Sequence, residues 1–161
     1  EIREYLWQAS CAEFSRDMSR RLFTYTAMVD DVERIGNHIV RLIDSARDKK
    51  KSNVVFSAEG RKEIEEIEKS VADNLADAFD LIVSGDRSLL KKISLREGEI
   101  DAMIRKAREN HLVRFHRRIC HAQAGPIFID MLIHMERISD HCQNISEHVE
   151  DIDNGSTQKE V

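Results

Sequence analysis

Between Met18 and Ile152 the apolar residues return every three or four positions in four long stretches, and the single proline, Pro126, falls at the opening of the last stretch rather than inside any of them. A 3.6-residue period sustained over so many turns, with no interior breaker, admits helices and little else. The remaining composition agrees, because six glycines and one proline supply too few turn residues for a sandwich of short strands. The fold class expected is therefore all-α.

The boundaries can be placed from capping chemistry. Ile2, Leu6 and Ala9 carry helical spacing over residues 1–12, where Tyr5 and Trp7, with Phe14 just beyond, are suited to sealing a bundle or an interface. A polar break follows, with Ser15 as a candidate cap for a helix from Met18 to about Arg47. Asp48 to Asn53 then reads as a solvated loop. Ser57 with Glu59 opens a helix carrying Ile64, Ile67, Val71, Leu75, Ala78, Phe79 and Ile82, and Ser84-Gly85 closes it. Asp86 caps the next, whose apolar positions run through Leu89, Leu90, Ile93, Ile100, Ile104, Leu112 and Phe115 toward Arg117-Arg118. Pro126 suits the first turn of a last helix reaching about Ile152, with 154–161 expected as a disordered tail. Short connections between four long helices predict antiparallel neighbours in a bundle.

Several function classes drop out. A net charge of −5 lacks the basic face that nucleic acid requires. Cys11, Cys120 and Cys142 are odd in number and widely spaced, which argues against a disulfide framework or a cysteine zinc knuckle and suits a reducing compartment. No run of eighteen apolar residues occurs, and the start of the chain lacks a signal-peptide pattern. It begins without methionine in what reads as the tail of a helix, so further chain upstream is expected. Gly-rich phosphate loops, GxSxG, HExxH and Glu-x-x-His are all missing. A metal-dependent hydrolase would have no evident nucleophile or base beyond its own ligands, and no enzyme activity is expected.

The sequence repeats itself at an offset of 103 residues, Thr24–Ser45 against Ile127–His148. Met28, Glu33, Arg34, Ile35 and His38 match Met131, Glu136, Arg137, Ile138 and His141 identically, and Asn37 stands opposite Asp140. A shared apolar period cannot account for matching charges.

Glu136 and Asp140 lie four apart, as do Glu97 and Asp101, so each pair places two carboxylates one turn apart on the same helix face. Both pairs are expected beside apolar residues, where like charges repel and lose hydration unless something compensates. Arg34 and Arg137 are candidate ion-pair partners; a bound cation is the other solution. Oxygen-rich ligand sets suit iron, manganese, magnesium or calcium, with zinc also open given nearby histidines. His134, His141 and His148 are two turns apart, too far to share one ion easily, and both packing and ligand roles stand open for the first two. The basic run His111, His116, Arg117, Arg118, His121 reads as surface charge near a helix end.

The runs Asp31-Val-Glu33-Arg34-Ile35-Gly36-Asn37-His38 and Met135-Glu136-Arg137-Ile138-Ser139-Asp140-His141-Cys142-Gln143-Asn144-Ile145 resemble the PhoU family signature. The stretch Ala124 to Leu132 looks most like the PhoU-like domain at the C-terminus of bacterial sodium–phosphate cotransporters. The resemblance implies a pair of three-helix repeats, of which 1–48 is the remainder of the first and 57–153 the second, within one domain over 1–153. It implies a cytoplasmic, non-catalytic regulator of phosphate uptake at the inner face of the membrane, partnered with a membrane phosphate transporter, a signalling protein or further copies of itself. It also implies metal, iron first, held by E(D)xxxD motifs whose places are taken by Glu33 and Asn37, Glu97 and Asp101, and Glu136 and Asp140. Asn37 departs from that pattern with a neutral, weaker oxygen, which Asp30 or Asp31 is placed to supplement, Asp30 lying closer to the Glu33 face, and His141 adjoins the last pair. A structural adaptor or oligomerisation bundle without metal is the alternative reading.

Overall fold

The computed structural model describes residues 16–157 together with Ile2 and Glu4. The rest of the expected 1–12 piece, the Ser15 cap, Tyr5, Trp7 and Phe14 lie outside the described residues, as do 158–161. Within residues 16–157 four helices follow in order: α1 (Arg16–Lys51), α2 (Ala58–Ser84), α3 (Ser88–His116) and α4 (Ala124–Thr157). No strand occurs among the described residues.

The helix ends show why the chain turns where it does. Lys49, Lys50 and Lys51, expected in a loop, are the last turn of α1, where their charge meets the negative helix end. Asn53 takes a left-handed φ of 51°. Its N–H donates to the Lys50 carbonyl and that of Val54 to the Lys49 carbonyl, the paired bonds of a Schellman motif. Val54 and Phe56 then drop into the core beyond it. The Ser57 hydroxyl accepts from Gly60 N–H as the N-cap of α2, and Gly85, at φ 66°, closes it. Asp86 serves α3 from two residues ahead, its Oδ1 accepting the Ser88 N–H at 3.0 Å. Pro126 sits in the first turn of α4, where its missing N–H costs nothing. That helix runs on to Thr157, through residues expected to belong to the tail.

Helix directions follow from the side-chain pairs. Asp31 meets His141, His38 meets His134 and Ser45 meets Asp130, so α1 and α4 are antiparallel. Glu63 meets Arg114 and Asp77 meets Lys92, so α2 and α3 are antiparallel as well. Among the described residues packing is centred on α4, which touches all three other helices, whereas α1 meets α4 alone. The core joins Ile64, Ile67, Val71, Ala78 and Leu81 of α2 with Ile93, Ile100 and Ile104 of α3 and Phe128, Leu132, Met135, Ile138 and Ile145 of α4. Burying each large side chain contributes about 1.5–3 kcal/mol.

Two expected core assignments are overturned. Phe79 and Ile82 are 41% and 38% exposed, and Leu112 and Phe115 are 56% and 45% exposed. On α3 the inward positions are 93, 100, 104, 107, 111 and 114, so the residues one step on point away, and His111 and Arg114 take the buried places. His111 is therefore not part of a surface basic run. Its ring stacks on Phe128 with centroids 4.8 Å apart, and burial, then the neighbouring Arg114, holds its pKa below the usual imidazole range.

Candidate metal centre

On α3, Glu97 and Asp101 stand one turn apart, and α4 brings Asp140 against them from the side. One carboxylate oxygen from each of the three lies within 4.8 Å of the others, and all three residues are half-buried. They form the sole such group of three metal-capable side chains among the described residues. Glu97 and Asp140 also line a wide cleft of about 400 Å³ with Arg137, His141, Gln143 and Asn144, which leaves a route for ions and water.

The charge of the triad is relieved only in part, by Arg137 at Asp140. Burial pushes the Glu97 carboxyl above the ordinary carboxylate range, and the charges of Asp101, Asp140 and Glu147 push it further. Burial does the same to Asp140; Arg137, its partner at 3.2 Å, opposes the shift, while Asp101 and Glu136 add to it. Folding thus raises both pKa values, so the folded chain binds protons more tightly here than the unfolded one. In the metal-free protein the repulsion is felt above the raised pKa values and fades as pH falls through them. Glu97→Gln is expected to be more stable than the parent at neutral pH, with the gap closing toward about pH 4. Urea titrations of both metal-free proteins across that range check this; a gap independent of pH would show that Glu97 carries no such strain.

The other expected ligands are placed differently. Glu136 is claimed by Arg108 of α3, with Nη2 to Oε2 at 2.6 Å and Nη1 to Oε1 at 3.3 Å, an arginine that sequence spacing had not singled out. Arg137 does pair with Asp140, as its position suggested, while Arg34 is exposed. Glu33 and Asn37 lie on the exposed part of α1 and Asp30 is half-buried there; none of them joins the triad. His141 turns from the triad toward α1, where its Nδ1 is 2.7 Å from Asp31 Oδ1.

Asp31, which the sequence offered only as a second choice to Asp30, is a polar centre. Only 7% exposed, it also accepts from Asn144 Nδ2 at 3.1 Å and faces His148 Nε2 at 3.1 Å. The available signal was its place inside the repeated run, seven residues before His38. Between α2 and α3, Asp77 is held below its usual pKa. Burial pushes it up, but hydrogen bonds from Lys92 and Arg96 outweigh that push.

Fold and site together define a class: a bundle of long helices with a duplicated Glu-Arg-Ile-x-x-His helix and a carboxylate cluster between the helices of its second half. A PhoU domain model matches residues 64–149, just over half of the chain, and the chain belongs to the PhoU family. It is also similar to the phosphate-specific transport system accessory protein PhoU homolog 1 of Thermotoga maritima, 26% identical over 141 residues, or 88% of this chain and 60% of that protein. The chain therefore spans less than two thirds of that relative. No solved structure gives a significant match. None of the described helices is long and apolar enough to cross a membrane.

Proposed function

We propose that this chain is a regulatory, non-catalytic domain of phosphate transport whose output depends on a cation held by Glu97, Asp101 and Asp140. The observation that carries the metal reading is the convergence of three carboxylates from two helices within 4.8 Å, at a cleft open to solvent. An all-oxygen donor set favours a hard or borderline ion, iron or manganese before zinc, with magnesium also compatible. Family membership and the Thermotoga relative support the phosphate-transport role. The similarity of residues 124–132 to cotransporter tails supports a cytoplasmic domain working against a membrane phosphate transporter, its own N-terminal portion included.

Titration of chelator-treated protein with Mn2+ or Fe2+ tests the site. Saturation at one hundred times the dissociation constant should stabilise the fold by about 2.7 kcal/mol. Asp101→Asn should weaken binding at least tenfold while leaving the helical content intact. No uptake, or equal uptake by a Glu97→Gln, Asp101→Asn, Asp140→Asn variant, would overturn the metal reading. The second reading, a metal-free adaptor bundle, is favoured by the arginines already on Glu136 and Asp140, and those same results would support it.

A further inference from the structure

The repeat has a geometric counterpart in the antiparallel seam between α1 and α4. The offset of 103 that relates His38 to His141 also relates Asp31 to His134. The contact between Asp31 and His141 therefore has an equivalent, and that equivalent joins His134 and His38. One copy pairs a carboxylate with an imidazole, a contact completed by a single shared proton. Its counterpart sets two tilted imidazoles nitrogen to nitrogen, with His38 Nδ1 and His134 Nδ1 3.1 Å apart.

We propose that His38 and His134 form a second metal site, distinct from the carboxylate triad, which takes an imidazole-preferring transition-metal ion such as Cu2+, Ni2+ or Zn2+ between their Nδ1 atoms. Two ring nitrogens ligating one tetrahedral ion at about 2.0–2.1 Å stand about 3.3 Å apart, close to the separation seen here. Metal-bound histidines are oriented by a carboxylate on the far ring nitrogen. Asp130 is so placed, with Oδ1 3.5 Å from His134 Nε2, and its other oxygen is fixed by a short hydrogen bond from the Ser45 hydroxyl. The His141 ring, held by Asp31, stacks against His38 at 5.7 Å and limits its rotation. Burial, then the neighbouring His134 and His141, lowers the pKa of His38, a direction that favours the neutral ring a metal requires. Binding needs no net proton loss, since the ring bearing hydrogen on Nδ1 shifts to its Nε2–H tautomer. Water completes the coordination.

Electron paramagnetic resonance of tag-free, chelator-treated protein with one equivalent of Cu2+ tests the site, because imidazole ligation splits the copper signal through nitrogen and carboxylate ligation does not. Nitrogen splitting should appear in the parent, persist in the Glu97→Gln, Asp101→Asn, Asp140→Asn variant, and disappear in His38→Gln and in His134→Gln. Nickel affinity, read by calorimetry, should fall about 10–100-fold in Asp130→Asn, which leaves both ligands in place. Absence of nitrogen splitting in the parent would overturn the proposal. So would splitting unchanged in both histidine variants, which would assign the copper to other histidines. Loss of splitting only in the carboxylate variant would overturn it too, by placing the copper at the triad.

Discussion

Replacing Glu63 by alanine is expected to lower the unfolding free energy by about 3–5 kcal/mol, the cost of leaving a buried charge without its partner. Arg114 lies in the interior with 9% of its side chain exposed, and Glu63 receives it at both oxygens, 2.9 and 2.7 Å away. Asn110 donates to the same carboxylate at 2.8 Å. Three donors thus converge on one acidic side chain, fixing the start of α2 to the end of α3. That interaction, with burial opposing it, raises the already high pKa of Arg114, so the guanidinium stays charged and cannot escape its cost by losing a proton. Urea unfolding of Glu63→Ala provides the measurement, and a loss below about 1 kcal/mol would place the pair with solvent-screened surface ion pairs. The double replacement Glu63→Ala, Arg114→Met should recover part of the loss, since removing both charges leaves nothing stranded.

Phe128→Ala should cost a similar amount, about 3–5 kcal/mol, through a cavity that its neighbours cannot close. Phe128 is 1% exposed. Phe56 meets it edge-on at 5.3 Å, His111 stacks on it at 4.8 Å, and the Arg114 guanidinium lies 5.6 Å from its centre. Room for this cluster exists because residue 60 has no side chain: a Cβ there would come within 3.3 Å of Arg114 Nη2 and 3.4 Å of the Phe128 ring. A lowered urea midpoint with an unchanged slope is the expected signature. A loss under about 1 kcal/mol would show that the segment from Val54 to Phe56 moves in to fill the space.

What could be read in the sequence follows from how far each interaction reaches. Ser57, Gly85 and Pro126 act within a turn of themselves, and the helices begin or end close to where those residues predict. Glu97 with Asp101, and Asp140 one turn beyond Glu136, were visible because a four-residue spacing fixes a shared face. Which carboxylates of two such pairs converge depends on the relative rotation of α3 and α4, and spacing along one helix carries no record of it. Rotation brings Arg108 to Glu136 and leaves Asp140 to face Glu97 and Asp101. The Glu63–Arg114 pair spans 51 positions and leaves no local trace. Leu112 and Phe115 misled because a helix with apolar residues on several sides offers more than one inward phase.

Among the described residues α4 touches every other helix while α1 touches only α4, and this sets the order in which these four helices can come apart. Withdrawing α4 exposes the interior of the α2–α3 pair and the seam with α1 together, so its opening approaches global unfolding. Withdrawing α1 exposes one seam and leaves the contacts among α2, α3 and α4 in place, which makes α1 a separate cooperative unit of lower opening free energy. Asp140 and His141 are consecutive residues on the element common to both units, so the triad lies within the more persistent one and the histidine seam along the boundary where the two divide.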